Sequence, residues 1–189
     1  VFVILGPTAT GKSDLAVKLA TRLRQGFGGQ EKIEAEIISA DSRQVYTGLD
    51  IGTGKITKKE MKGIPHHLLS VVNPKKVFTV VKYKEQAEEK IREIISRNKT
   101  PIICGGTGFY IDAVTKGIIF PDVPPNKKLR KTLERKSLIS LLKILTKLDA
   151  KRSKNIDVQN KVRLIRAIEI AKSLGEVPKL RRQRLRISS

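Results

Sequence analysis

The fold of this chain is decided by its first thirteen residues, which read VFVILGPTATGKS from Val1 to Ser13. The five apolar residues predict a short buried strand, and the eight that follow match the phosphate-binding pattern G-x-x-x-x-G-K-[ST]. In this pattern successive backbone N–H groups point at phosphate oxygens, and the next helix adds its positive end. The lysine brings a charge to the terminal phosphate, and the hydroxyl of Ser13 can bind Mg²⁺. The predicted phosphate site consists of Gly6, Pro7, Thr8, Ala9, Thr10, Gly11, Lys12 and Ser13.

Apolar residues downstream of this loop alternate between strand-like runs and helical spacing. Further buried strands are predicted over residues 36–40 and 101–104, and helices over residues 13–24 and 80–98 and from Phe109. Strands that alternate with helices in this way favour a parallel sheet covered on both faces. We therefore predict an α/β, P-loop NTPase-like fold, with helices on both faces of the sheet and a small helical insertion.

The chain changes character after its first two thirds. Pro124 and Pro125 indicate a linker, and they are followed by predicted short basic helices over residues 129–148 and a strongly periodic helix over residues 160–174. The predicted parts are a P-loop catalytic core over residues 1–121, a small basic helical insertion over residues 122–158, and a helix returning to the core plus a basic tail over residues 159–189.

The composition is strongly basic, with 39 Lys and Arg against 18 Asp and Glu and a formal charge of +21. The excess is concentrated towards the C-terminal side. Residues 121–189 carry 20 basic and 6 acidic side chains, against 19 and 12 in residues 1–120. A positive field of this size attracts polyanions and favours nucleic-acid binding. Aromatic residues make up only 4% of the chain, which argues against a wide base-stacking platform.

Two features indicate the compartment. No apolar run approaches about 18 residues, so we expect no membrane span. The single cysteine, Cys104, excludes an internal disulfide and fits a reducing environment. Because Cys104 ends a predicted strand, we interpret it as a core side chain rather than a nucleophile. The expected location is the cytoplasm.

An acidic residue, Asp41, follows the second predicted strand in the stretch IISADSRQ. An aspartate in this place can bind Mg²⁺, as in ATPases and GTPases. It can instead act as a general base on an incoming nucleophile, or cap the turn that follows. The residues alone leave these three interpretations open.

Six blocks of sequence resemble, in the same order, those of bacterial tRNA dimethylallyltransferases. They are residues 6–13, 39–46, 49–53, 63–68, 105–110 and 163–169. The resemblance implies that the loop holds the diphosphate of dimethylallyl diphosphate rather than ATP, with Mg²⁺ as cofactor. It implies that the dimethylallyl group passes to N6 of an adenosine beside the tRNA anticodon, which must be flipped from its stack. Asp41 is then the catalytic base that takes the N6 proton.

The resemblance also implies contacts with the tRNA anticodon arm. The implied contact residues are Asp41, Ser42, Arg43, Gln44, Thr107, Arg130, Arg163 and Arg166. The expected partners are therefore tRNA and dimethylallyl diphosphate, and we expect a monomer. Members of the family continue past the position of Ser189 with further helices around the anticodon arm, so we expect this chain to be C-terminally short.

Two other functions fit the same loop and sheet. A small-molecule or nucleotide kinase shares both features and Mg²⁺, but it needs ATP and an arginine-bearing lid. A non-catalytic RNA-binding fragment of the same fold would keep the basic surface without turnover.

Three shorter features are interpreted structurally. The adjacent His66 and His67 point different ways on most backbones and lack a third ligand nearby, so a structural or substrate-positioning role is favoured over zinc. Residues 52–55 lack the full loop spacing and are predicted to form a turn. Residues 25–30 contain three glycines and are predicted to be an inserted flexible turn.

Overall fold

The computed structural model describes residues 1–7, 9–26 and 32–183. Thr8 of the predicted phosphate site, most of the predicted inserted turn and the last residues of the predicted basic tail lie outside the described residues. The chain divides into two compact units. The first unit comprises Val1–Ile118 together with the chain from Arg182 onward, and the second unit comprises Ile119–Arg181.

Four strands form the sheet of the first unit: β1 (Phe2–Leu5), β2 (Ala35–Ser39), β3 (His66–His67) and β4 (Thr100–Gly105). Their spatial order is β1-β4-β2-β3, and every neighbouring pair is parallel. The three longer strands are those predicted from the apolar runs. The carboxyl ends of β1, β2 and β4 lie side by side, which brings the segments that follow them to one edge of the sheet.

Helices cover both faces of this sheet, as predicted. One face packs against α1 (Lys12–Gln25), whose Ala16, Val17 and Ala20 are buried against apolar residues of β2 and β4. The other face packs against α2 (Val80–Ser96) and α3 (Gly108–Thr115). The α/β class with a parallel sheet is therefore confirmed. A short 3₁₀ turn (Ile51–Thr53) occupies the place where a turn was predicted.

The predicted burial of the first strand is wrong. Strand β1 lies at the edge of the sheet, and within the described part of the chain it pairs only with β4. Phe2 is 46% exposed and Leu5 is 58% exposed. A run of apolar residues predicts that a strand is present, but it does not reveal whether the strand lies at the centre or the edge of its sheet.

The second unit is a bundle of short helices. They are α4 (Lys127–Glu134), α5 (Leu138–Leu148), α6 (Ala150–Ser153) and α7 (Lys161–Leu174). Each begins at a residue whose side chain accepts a backbone N–H of the first turn, and these caps are Asn126, Ser137, Asp149 and Asn160. Their shared core contains Leu133, Leu141, Leu145, Leu164 and Ile168.

The predicted division of the chain differs from the observed one. Helix α7 was expected to return to the catalytic core, but it packs against α4 and α5 and belongs to the second unit. Its buried leucine and isoleucine stripe is the one predicted from the sequence, and only its packing partner differs. A two-stranded sheet formed by β5 (Ile118–Ile119) and β6 (Arg181–Arg182) was not predicted.

Candidate active site

The phosphate-binding loop leads directly into α1. Gly11 precedes the helix with a φ of 77°, in the left-handed region that glycine adopts without strain. The Lys12 ammonium donates a hydrogen bond to the carbonyl oxygen of Pro7 at 2.7 Å, and the Thr10 hydroxyl donates to the same oxygen at 2.9 Å. Ser13 follows in the first turn, where helix N–H groups have no helical partner. The described part of the loop therefore presents an ammonium and a hydroxyl at a positive helix end.

The ends of β2 and β4 meet so closely that only glycine fits at Gly105. A Cβ atom at this position would lie 2.2 Å from the carbonyl oxygen of Ala40, far inside van der Waals contact. The Ala40 N–H donates to Cys104 at 2.8 Å, and the Thr107 N–H donates to the Ala40 carbonyl at 3.0 Å. The close approach at Gly105 and these two hydrogen bonds thus hold together the segments that carry Asp41 and Thr107.

Asp41 caps the turn that follows β2. Its Oδ1 accepts hydrogen bonds from the backbone N–H groups of Arg43 at 2.8 Å and Gln44 at 3.3 Å. Among the described residues no hydrogen bond reaches its second oxygen, Oδ2. The capping interpretation is therefore correct for one oxygen, and the other remains available to a substrate or a metal.

The neighbours of Asp41 are held by the segment after β4. The Ser42 N–H donates to the hydroxyl oxygen of Thr107 at 2.9 Å, and the Thr107 hydroxyl donates to the Ser42 hydroxyl oxygen at 3.2 Å. Gln44 donates its side-chain amide to the Gly54 carbonyl at 3.2 Å. Arg43 is exposed. The structure thus brings residues 41–44 together with Thr107. Ser42 and Thr107 are 65 positions apart in the sequence.

A small cavity of about 20 Å³ connects the loop with this segment. Its lining consists of Lys12, Ser13, Ile37, Ser39, Asp41, Gln44, His66, Leu69, Cys104 and Gly105. Lys12 and Ser13 of the predicted loop therefore line one cavity with the predicted base, Asp41. Ser39 was not predicted as a site residue, and for His66 the sequence left a structural or a substrate-positioning role open. The register of the two-residue strand β3 against β2 places His66 there, and so short a strand has no periodicity that would reveal it.

Burial sets the protonation of two further groups at this site. Burial raises the pKa of the Cys104 thiol to about 11, although the nearby Lys12 charge opposes the shift. Cys104 therefore remains a neutral thiol, consistent with a core role. Burial, together with nearby Tyr46 and Asp41, raises the pKa of the Tyr110 phenol to about 12, so this hydroxyl also remains protonated.

The oxygen atoms of this cavity suit a magnesium ion for which the protein supplies only some of the ligands. The described residues contain no group of three or more His, Cys, Asp and Glu side chains that could hold a metal. The cavity does bring the Ser13 hydroxyl and the Asp41 carboxylate together. Mg²⁺ prefers such oxygen ligands and commonly takes the rest from substrate phosphates and water. These residues therefore fit Mg²⁺ that arrives with a phosphate ligand.

Three of the four predicted tRNA-contacting arginines, Arg130, Arg163 and Arg166, lie in the second unit, and two of these are engaged by one buried carboxylate. Arg130 pairs with Glu169 through two hydrogen bonds of 3.0 and 2.7 Å. Arg166 donates to Glu169 at 2.5 Å and to the Val123 carbonyl at 2.8 Å. Arg163 is different, because its side chain is 66% exposed and, among the described residues, is paired only with Asp157 at 3.5 Å.

Glu169 is the buried carboxylate that pairs with both Arg130 and Arg166. It is 2% exposed and also accepts the backbone N–H of Asn126 at 2.6 Å. Burial alone would raise the pKa of this carboxyl group, but the hydrogen bonds from Arg130, Asn126 and Arg166 outweigh burial and lower it to about 2. The sequence showed Glu169 within a family-like block but gave no signal that it is buried and paired.

The chain also resembles known families and proteins. The model of the IPP transferase family matches residues 44–186. The tRNA dimethylallyltransferase of Lachnoclostridium phytofermentans is 46% identical over 178 residues, covering 92% of this chain and 54% of that protein. The tRNA dimethylallyltransferase of Acaryochloris marina is 40% identical over 173 residues, with the same two coverages. The chain thus spans about half the length of the curated relatives it matches.

Two solved structures are also similar to this chain. The full-length tRNA isopentenylpyrophosphate transferase of Bacillus halodurans has a TM-score of 0.59 at 39% identity, covering 93% of this chain and 56% of that one. A eukaryotic dimethylallyltransferase acting on tRNA has a TM-score of 0.73 at 28% identity, covering 90% of this chain and 40% of that one. None of the helices in the described ranges is long and apolar enough to cross a membrane.

Proposed function

This chain belongs to the IPP transferase family, and on that premise we propose that it forms the catalytic core of a tRNA dimethylallyltransferase. The proposed substrates are dimethylallyl diphosphate and an adenosine beside the anticodon of a tRNA. One observation carries the proposal: Lys12, Ser13 and Asp41 line the same cavity. A leaving diphosphate and a base for the incoming amine can therefore be held next to each other.

The proposed reaction is a substitution at the first carbon of the dimethylallyl group. The adenosine N6 amine forms a bond to this carbon while the carbon–oxygen bond to diphosphate breaks. The diphosphate leaves with the bonding electron pair, and the N6 proton passes to Asp41. Lys12 balances the charge of the leaving group, because a phosphate oxygen is a stronger acceptor for its ammonium than the neutral Pro7 carbonyl.

The proposed cofactor is Mg²⁺, with Ser13 as its ligand from the loop. Bound there, the ion would supply further positive charge to the leaving diphosphate. The Ser13 hydroxyl is the group of the cavity best suited to hold the ion, because Oδ2 of Asp41 is assigned to the N6 proton.

The kinase alternative makes a different prediction about ligands. Incubating the chain with labelled dimethylallyl diphosphate, Mg²⁺ and unmodified tRNA tests the proposed function directly. We expect label in the tRNA, and thermal stabilisation of the chain by dimethylallyl diphosphate but not by ATP. Stabilisation by ATP alone would favour a kinase, and tRNA binding without label transfer would favour a non-catalytic RNA-binding fragment.

Replacing Lys12 with alanine tests the phosphate-binding loop. We expect binding of dimethylallyl diphosphate to weaken about 10- to 100-fold, because a charge-assisted contact contributes about 1.5–3 kcal/mol. Calorimetric titration measures this loss. The control is Lys18→Ala, which removes an exposed lysine of α1 that pairs with Asp14 at 2.7 Å. Undiminished binding by the Lys12 variant would refute the assignment of the loop.

The proposed tRNA contacts gain support from the charge of the second unit. Arg163 is exposed on α7, and Lys127, Lys128 and Lys172 line a cavity of about 680 Å³ in the same unit. The phosphate backbone of an RNA is the partner that such cations attract. Arg130 and Arg166 remain predicted contacts, although the structure shows both guanidinium groups bound to Glu169.

Arg163 therefore offers a clearer test of tRNA contact than Arg130 or Arg166, which also pair with Glu169. Arg163→Ala is expected to weaken tRNA binding and to reduce the salt slope of log affinity by about one unit, because one phosphate contact is lost. The matched control is Asp157→Asn, which removes the acidic neighbour of Arg163 and keeps the arginine. Titrations at several salt concentrations give both slopes. An unchanged slope in Arg163→Ala would remove this residue from the predicted tRNA contacts.

A further inference from the structure

His66 lines the candidate site but has no part in the proposed mechanism. In the parallel register of β3 and β2, His66 pairs with Ile37 and His67 pairs with Ile38. Side chains of neighbouring residues in a strand point to opposite faces of the sheet. His66 therefore lies on the face of α1 and lines the small cavity together with Lys12, Ser13 and Asp41.

The hydrogen bonding of the His66 ring determines what it can offer to a ligand. Its Nδ1 lies 2.8 Å from the carbonyl oxygen of Ile64. A carbonyl oxygen can only accept, so Nδ1 carries the hydrogen, and Nε2 of the neutral ring has a free lone pair. Among the described residues the His66 Nε2 atom has no hydrogen-bond partner. It is not among the buried polar atoms that lack a partner, so it is at least partly exposed. A ligand or water in the cavity can therefore reach it.

The surroundings of His66 favour the neutral ring. Burial lowers the pKa of His66 below its ordinary value, and the neighbouring His67 acts in the same direction, although the bond to Ile64 opposes both. The charged groups of the same cavity are Lys12 on α1 and Asp41 after β2. A neutral ring offers Nε2 as an acceptor, so it cannot donate to a phosphate oxygen, which is itself an acceptor.

We propose that His66 is a further residue of the diphosphate site, where Nε2 accepts a hydrogen bond from a water molecule bound to Mg²⁺. This inference rests on the proposed function. Magnesium keeps several of its waters when it binds to proteins, and each of those waters is a strong donor that needs an acceptor. His66 supplies such an acceptor in the lining of the cavity that Ser13 also lines. Outer groups of this kind orient a metal complex without binding the metal.

The adjacent His67 provides a matched control. Its Nε2 bonds to Glu36 at 2.7 Å, and Glu36 is also held by Arg97 and Lys99. This cluster lies on the opposite face of the sheet from the cavity. The two histidines are therefore alike in sequence context but differ in what their rings face.

Binding of inorganic diphosphate with and without Mg²⁺ tests the proposal. His66→Asn keeps an amide N–H for the Ile64 carbonyl but lacks the Nε2 acceptor. We expect it to bind magnesium diphosphate about 5-fold more weakly than the wild type, the factor that one ordinary hydrogen bond contributes. When a chelator removes Mg²⁺, the affinity of His66→Asn for diphosphate is expected to equal that of the wild type. His66→Gln, whose amide oxygen reaches the Nε2 position, is expected to recover most of the loss, and His67→Asn is expected to show none.

A second measurement uses the wild-type chain and does not depend on the folding of a variant. The ¹⁵N chemical shift of His66 Nε2 is expected to move on addition of magnesium diphosphate, while Nδ1 keeps its hydrogen. An unmoved Nε2 signal would overturn the inference, as would an equal loss of affinity by His66→Asn with and without Mg²⁺. Absence of diphosphate binding by the wild type would instead overturn the proposed function itself.

Discussion

Replacing Asp41 with asparagine is expected to slow prenyl transfer about 10²- to 10⁴-fold, the usual loss when a positioned base is removed. The structure explains why the fold should tolerate this change. The asparagine Oδ1 can still accept the N–H groups of Arg43 and Gln44, and the new amide replaces Oδ2, which has no partner among the described residues. An amide cannot take the N6 proton, so only the chemical step should suffer.

The rate of label transfer from dimethylallyl diphosphate to tRNA measures the effect of Asp41→Asn on turnover. Titrations show whether the variant still binds both substrates. The control is Asp112→Asn on α3, which removes a surface carboxylate that pairs with Lys116 at 2.9 Å. Transfer at the parental rate would show that Asp41 is a turn cap or a magnesium ligand and that another group accepts the proton. Loss of binding together with loss of turnover would indicate a binding role.

Replacing Glu169 with glutamine is expected to destabilise the second unit by about 3 kcal/mol. Removing one partner of a buried ion pair usually costs about 3–5 kcal/mol, and the lower end applies because the arginines are about a third exposed. The variant removes the buried, 2% exposed carboxylate with which both Arg130 and Arg166 pair. Urea unfolding measures the loss, and Glu176→Gln, an exposed glutamate just beyond α7, is the control.

The same substitution should change the acid dependence of stability. The pKa of Glu169 in the folded chain is about 2, below its ordinary value of 4.5. Its stabilising contribution is therefore fully present above about pH 4.5 and is lost as the pH falls towards 2. Glu169→Gln should lack this part of the acid-induced loss. Equal stability of the wild type and Glu169→Gln at neutral pH would contradict the role assigned to this carboxylate.

The consequence for tRNA recognition is that the three predicted arginines of the second unit are not equivalent. Arg163 can be removed without disturbing a buried group, because its side chain is mostly exposed. Removal of Arg130 or Arg166 takes a partner from Glu169, so weaker tRNA binding by either variant has to be compared with its stability. A weaker tRNA affinity counts as a lost contact only if it is larger than the reduced fraction of folded protein explains.

Local chemistry explains the part of the fold and site that the sequence predicted correctly. The glycine pattern before Lys12, the apolar runs of β2 and β4, and the periodic helix α7 each depend on residues close together in the chain. Backbone conformation and helical or strand spacing act over a few residues, so such elements can be recognised from sequence. The family-like blocks added the prediction that Asp41 is the catalytic base, and in the structure Asp41 lines one cavity with Lys12 and Ser13 of the loop.

Only the tertiary structure determined where those elements lie and what their side chains meet. The edge position of β1 depends on strand order, which no apolar run encodes. Arg130 and Glu169 are 39 positions apart, and their pairing results from the packing of α4 against α7. His66 enters the cavity because β3 pairs with β2 in one register, and a shift of one residue would have placed His67 there instead. These contacts depend on the direction in which each side chain leaves a packed element, and that direction is set by long-range packing.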